Sequence, residues 1–379
     1  MKVISIGYGK KLFTHDDLDL ERLKLCADEV ESFDLVVFTL KSEGLVLRKV
    51  TDKLTLYPTD SKNKLLMIFD AVRIGRKITA KKDFLITTQD PFETGLVGML
   101  IRLGSNMPLV VQEHADFFST NFWKQESFGN AFRFYLGRFI LKHVTAVRVV
   151  SERIRRTVLK INPSAKTSKL PVAIDVSKFT SVQSAETEPR YFKSGTFIFL
   201  SVARFVKQKN IPLMLSAFSR AYKKNPNIRL LLVGSGPLQS EIECLLQKYF
   251  PVIDGEESPV KLLSWTNDVP SLMQNVNAYL LTSNYEGWAR VLIEAMCSNL
   301  PAVTTDVGCV NELLIHHEHG LVVPVNDKEA LEQAIHKISA DQELYVRLKN
   351  NLKQLDKNSL AGADIQSYGK QWVKTLEMF

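Results

Sequence analysis

Short runs of β-branched and aliphatic residues alternate with longer stretches of helical period along almost the whole chain. Such alternation is the signature of parallel sheets built from right-handed β-α-β units. Two series of predicted strands are visible. The first covers residues 2–7, 34–40, 84–89, 108–114 and 146–151, with LVLRKVTDKLTLYP alternating like a hairpin before the helical stretch SKNKLLMIFDAVRIGRKI. The second covers 197–204, 229–234, 260–265, 278–283, 301–306 and 321–325. Between them SVQSAETEPR, residues 181–190, is polar and aperiodic, as a linker would be. The last segment, DIQSYGKQWVKTLEMF, reads as an amphipathic helix with Tyr368 and Trp372 on one side.

The pattern predicts an α/β protein of two Rossmann-like domains, residues 1–180 and 191–361. The length of 379 residues, 45% of them hydrophobic and 24% charged, allows two cores of ordinary size. The opening MKVISIG is too short for the apolar region of a signal peptide, and no apolar run reaches membrane-spanning length. Cys26, Cys244, Cys297 and Cys309 show no metal-type or redox-type spacing, which fits free thiols and a cytoplasmic location. The formal charge of +8 belongs wholly to residues 1–190, and its excess gathers in 121–178 around Arg133, Arg138, Lys142, Arg153, Arg155 and Arg156. An anionic membrane face, a phosphate-bearing acceptor or nucleic acid would suit that stretch, and so would plain solvation of a helix face. Without a known module, nucleic acid is the weakest of these.

Open α/β sheets bind ligands at the carboxyl ends of their strands. There, 197–204 delivers Arg204, and Lys209 follows just before Asn210, which has the chemistry of an N-cap, and Pro212. A guanidinium fork and a compact ammonium aimed at one spot suit a diphosphate. VGSGP places Gly234 and Gly236 after a strand, where a backbone lacking Cβ can approach a ligand. Pro237 in that turn, and Leu12 at the third glycine position of SIGYGKKL, argue against a dinucleotide fingerprint and an oxidoreductase. In SNYEGWARVLIEAM, residues 283–296, Glu286 and Gly287 form a turn and a helix is expected from about Ala289. The N–H groups of Trp288, Ala289 and Arg290 would offer a phosphate site at the helix start. Glu286 could accept from sugar hydroxyls. Glu294 interrupts the apolar run VLI-AM and is expected to be buried or to hold a ribose.

The spacing of Glu286 and Glu294 resembles the E-x7-E pattern of family 4 glycosyltransferases. VARFVKQKN resembles that family's R-x4-K donor-phosphate element, VGSGP its VGxGP turn, SWTNDVPSLM with Trp265 and Thr266 its base-contacting loop, and TDVGCVNELL its final glycine motif. In the first half VVQEHADFFS resembles the strand ending in a histidine beside the sugar, here His114, and LPVAIDVSKF the P-x-G-x-D crossing. Ala173 departs from the glycine common there, and Gly7 to Lys11 lacks the double glycine of many members. The resemblance implies the GT-B fold, two facing Rossmann-like domains whose C-terminal helix, 362–379, returns to the first. It also implies a nucleotide-diphospho-sugar donor, a glycan, glycolipid or other hydroxyl acceptor, retention of anomeric configuration, and no metal or other cofactor. The implied catalytic group is Arg204, Lys209, Glu286 and His114. Gly234, Gly236, Trp265, Thr266, Gly287 to Arg290 and Glu294 would bind donor. A non-catalytic sugar-nucleotide-binding paralogue and a nucleotide-sugar epimerase are the alternatives.

Overall fold

Val3, Ile4 and Ile6 of β1 (Lys2–Gly7) are all buried, so both faces of this strand are covered, as in the centre of a parallel sheet. The computed structural model describes residues 1–15, 18–80, 83–144, 146–180, 191–251, 255–360 and 367–378. The linker expected at 181–190 lies outside the described residues. The chain divides into two units, Met1–Ala173 with Gly362–Phe379, and Ile174–Ala361.

The first unit holds β1, β2 (Ser32–Val37), β3 (Arg48–Lys49), β4 (Leu54–Pro58), β5 (Leu85–Thr88), β6 (Leu109–Glu113), β7 (Ala146–Val149) and β8 (Lys166–Lys169) in the order β3-β4-β2-β1-β5-β6-β7-β8. The expected hairpin is the short antiparallel pair β3 and β4, and the other neighbours run parallel. The pattern of apolar runs misses β8 because its sequence, KTSK, lies at the sheet edge and buries only Ser168. Polar edge strands of this kind resist pairing with other chains and carry no hydrophobic signal.

The final helix, Tyr368–Glu377, packs on the helix Leu18–Asp28 so closely that a Cβ on Gly369 would stand 2.2 Å from the Leu25 carbonyl oxygen. Trp372 stacks on Phe33 at 5.1 Å. The buried Arg148 donates to the Leu170 carbonyl at 3.1 Å and the Tyr368 hydroxyl at 2.8 Å, tying this helix to β7. The C-terminal helix therefore returns to the first unit, as expected.

In the second unit β9 (Phe197–Arg204), β10 (Ile228–Ser235), β11 (Val260–Leu263), β12 (Ala278–Leu281), β13 (Ala302–Thr305) and β14 (Gly320–Val323) run parallel in the order β11-β10-β9-β12-β13-β14. Phe199, Leu230 and Leu232 pack with Phe218 of the helix Ile211–Lys224 in one core. The strand order reverses between β9 and β12, and such a reversal opens a crevice at the carboxyl edge. Tyr279 braces it: its buried hydroxyl donates to the Val202 carbonyl at 2.9 Å and accepts the Val202 N–H at 3.0 Å.

Candidate active site

At the edge between β9 and β12, Arg204 ends its strand exposed, aligned with Ser235 of β10. The chain then makes a 3-10 turn, Lys207–Lys209, and leaves it through Asn210 at φ 47°. In that left-handed conformation Asn210 does not cap the following helix with its side chain, contrary to the sequence expectation. Its amide donates instead to Asn284 Oδ1 at 2.9 Å and Asn326 Oδ1 at 3.4 Å. The Asn284 N–H donates to the Gln208 carbonyl at 2.8 Å, and the Thr282 hydroxyl to the Lys209 carbonyl at 3.0 Å. These bonds fasten the two strand-end loops together.

The consequence is a contact between residues 77 apart in sequence. Lys209 Nζ lies 2.5 Å from Glu286 Oε1, with the two side chains only 16% and 9% exposed. Glu286 also accepts from Ser283 Oγ at 2.6 Å and Gln208 Nε2 at 3.4 Å. The sequence reading gave Lys209 and Glu286 separate tasks. The structure brings them together and adds Ser283 and Gln208, which lie within the quoted segments without a role assigned from sequence.

Gly287, Trp288 and Ala289 lead into the helix Arg290–Cys297, with Ala289 at φ 55°. Gly308, at φ 60°, lies against them: a Cβ there would come within 2.6 Å of Ala289 Cβ and 2.9 Å of the Trp288 carbonyl carbon. Cys309 N–H donates to the Trp288 carbonyl at 3.2 Å. The Trp288 side chain is buried, and among the described residues nothing accepts from its indole N–H. Buried donors are rarely left so, and a ligand oxygen would satisfy this one. Glu294, the interruption of the apolar run, is largely buried with Arg290 at 3.8 Å, beyond hydrogen-bond length. Burial holds its carboxyl above the usual range, with Arg290 opposing the shift.

Gly234 and Gly236 take backbone angles of φ 151° and 159°. The sequence reading has a ligand making the close approach; here the backbone at and just after the end of β9 comes close as well. A Cβ on Gly234 would sit 1.9 Å from the Ala203 carbonyl oxygen, and one on Gly236 2.6 Å from that of Phe205. Both glycines line a cavity of about 530 Å³ with Gln239, Leu262, Leu263 and Ser264, a volume in the range of small-molecule sites. Trp265, exposed, and Thr266 follow directly. The Thr266 hydroxyl accepts the Asp268 N–H at 3.1 Å.

His114 belongs to the first unit, immediately after β6. Burial, helped by Arg148 and Arg22, lowers its pKa to about 3, so the ring is neutral near pH 7. Beside it stands a residue that the sequence reading passed over. Glu113 is 1% exposed, and among the described residues neither carboxylate oxygen has a hydrogen-bond partner. Burial, with Asp116 and Asp90 adding repulsion, pushes its carboxyl well above the ordinary value. Because the folded state holds the proton more tightly than the unfolded chain, the contribution of this carboxyl to stability falls as pH rises above about 4.3. Glu113→Gln removes that dependence. Thermal unfolding at pH 4.5 and 7.5 should show the variant near wild type at the lower pH and more stable than wild type at the higher. An equal difference at both values would show that the carboxyl does not carry this pH dependence.

A family model described as "Glycosyl transferases group 1" matches residues 183–355, and one described as "Glycosyltransferase Family 4" matches 30–178. The chain is 23% identical over 284 residues to UDP-Gal:alpha-D-GlcNAc-diphosphoundecaprenol alpha-1,3-galactosyltransferase of Escherichia coli, covering 72% of this chain and 71% of that protein. It is 26% identical to the capsular polysaccharide biosynthesis glycosyltransferase CapM of Staphylococcus aureus, over 57% of this chain and 58% of that one. Among solved structures, HepE of Anabaena in complex with UDP superposes with a TM-score of 0.72 at 16% identity, over 100% of both chains. Sucrose-phosphate synthase of Thermosynechococcus elongatus does so with a TM-score of 0.77 at 20% identity, over 100% of this chain and 99% of that one.

Proposed function

The chain belongs to the family 4 glycosyltransferases and has their GT-B fold, and on that footing we propose that it transfers a sugar from a nucleoside diphosphate to an acceptor hydroxyl with retention of configuration. The observation that carries the donor-site assignment is the Lys209–Glu286 pair at the point where the strand order reverses. Arg204, Lys209 and the backbone N–H groups from Trp288 into the start of the helix Arg290–Cys297 offset the charge growing on the leaving diphosphate, the task a divalent metal performs elsewhere. Glu286, aligned by Ser283 and Lys209, accepts from sugar hydroxyls. Glu294 takes the ribose, and the cavity bordered by Gly234, Gly236 and Leu262 to Ser264 takes the base, with Trp265 and Thr266 at its margin. His114, neutral, is assigned to the sugar on the family resemblance alone.

Retention follows from front-face attack. The acceptor oxygen bonds to the anomeric carbon on the face that the diphosphate leaves, and the departing phosphate oxygen receives the acceptor's proton. Hydrogen bonds from Lys209, Ser283 and Gln208 already engage the Glu286 carboxylate, which supports a positioning role over nucleophilic attack. A covalent glycosyl adduct on Glu286, sought by mass spectrometry with a slow fluorinated donor, would overturn the front-face reading.

Relatives that build capsular polysaccharide or act on diphosphoundecaprenol-linked sugars support a glycan or glycolipid acceptor. Slow hydrolysis of a panel of UDP-, GDP- and ADP-sugars tests the donor class, and no turnover or binding of any of them would sink the assignment. Glu294→Ala should raise the dissociation constant for the accepted nucleotide about tenfold, the loss of one charge-assisted ribose contact of roughly 1.4 kcal/mol. Calorimetric titration checks this, and unchanged affinity would remove Glu294 from the site.

A further inference from the structure

The helix Phe128–His143 buries Phe134, Gly137, Ile140 and Leu141 against the first unit. On a helix of this kind the opposite face is ordinarily polar. Here it is not. Phe128 is 98% exposed, Phe132 71%, Tyr135 60% and Phe139 51%, and their spacing of four, three and four residues sets them in one row about 16 Å long. Arg138 and Lys142 flank the row, and Lys124 lies 4.8 Å from the Tyr135 ring centre while donating to its hydroxyl at 2.9 Å. The helix contains Arg133, Arg138, Lys142 and His143 and no acidic residue.

From this row of rings and its cationic margin, we propose that the outer face of Phe128–His143 is a docking surface for an anionic lipid bilayer, with Phe128, Phe132 and Phe139 entering the acyl boundary and Arg138 and Lys142 at the headgroups. Contiguous exposed apolar surface marks a site of association, and an apolar row with basic flanks is the pattern of a helix lying in a membrane interface. Tyr135, apolar in body with a polar tip, matches the headgroup level. A second copy of this chain is a poorer occupant. A two-fold contact through this face would press its cations onto an identical helix that supplies no acid to receive them. The surface is separate from the residues assigned to donor binding, so its failure would leave that assignment standing. No helix among the described residues is long and apolar enough to cross a membrane, and docking of this kind requires none.

The test is co-sedimentation of the whole protein with vesicles of phosphatidylcholine alone or mixed with phosphatidylglycerol, at low and high salt. Wild type should pellet with the anionic vesicles, less so at high salt as the headgroup attraction is screened. The triple variant F128S/F132S/F139S should bind about tenfold less while keeping the wild-type circular dichroism. Arg138→Gln with Lys142→Gln should lose most of the salt-dependent part. A second measurement covers a triple variant that fails to fold: in Phe132→Trp the added indole should be quenched by brominated anionic lipid. The proposal is overturned if wild type ignores anionic vesicles, if a folded triple variant pellets like wild type, or if the indole added by Phe132→Trp is not quenched. It is equally overturned if wild type is a dimer in solution that the triple variant dissolves, which would make the row an interface between copies.

Discussion

Lys209→Ala and Arg204→Ala are both expected to cut turnover by about 10²- to 10³-fold, the usual loss when one preorganised donor to a developing anion is removed, but only the first should also unfold the protein more easily. Arg204 is exposed at a strand end, and its removal strands nothing. Lys209 instead neutralises Glu286, which is 8% exposed. Taking one partner from a buried pair leaves an uncompensated charge, at a cost of about 3 kcal/mol. Both residues lie outside the core that the periodicity predicts, so the sequence gives no reason to expect a stability loss from either, and the ion pair supplies one for Lys209. Adding Glu286→Ala to Lys209→Ala should restore part of the melting temperature and none of the turnover, since it removes the orphaned charge without replacing the phosphate contact. Steady-state rates at saturating donor and thermal melts of the three variants check this. A Lys209→Ala enzyme that melts like wild type would dissolve the paired-site argument, and normal turnover in both single variants would dissolve the phosphate assignment.

Gly234→Ala is expected to cost about 3 kcal/mol or more, the order associated with strain at a special backbone geometry combined with overpacking. The glycine pairs with Ala203 across β9 and β10, and the added methyl would lie 1.9 Å from the Ala203 carbonyl oxygen. Backbone atoms of two central strands have no rotamer to yield. Gly44 is the control: it too has positive φ, 62°, but a Cβ there meets nothing within 4 Å, so Gly44→Ala should cost only about 1 kcal/mol. Denaturant unfolding of both variants separates backbone strain from collision. Equal costs would mean that conformation alone governs Gly234.

Much of this fold could be read from the chain. Strands such as FIFLSVAR and IRLLLVGS lie between neighbours on both edges, so burial makes them mostly apolar and easy to recognise. The carboxyl-end residues followed directly, since each lies within a few positions of such a strand. The polar edge strand Lys166–Lys169 was invisible for the converse reason. Glu113 was overlooked because a carboxylate at a strand end is usually solvated, and only the packing around it shows that this one is not.

What the sequence determined by itself is therefore local: the periodicities of two α/β units, the positions at which their strands end, and a charge excess confined to the first half. Tertiary structure decided which of those ends meet. A hydrogen-bonding side chain such as Asn210 has a local partner and a distant one available, and the left-handed backbone at that residue selects the distant one. The pairing of Lys209 with Glu286 depends on β12 lying beside β9, which is a property of strand order and leaves no trace in any short window. The same holds for the glycines, whose crowding comes from the neighbouring strand, and for the row of rings on Phe128–His143. A helix apolar on both sides does not say which side the rest of the chain will cover.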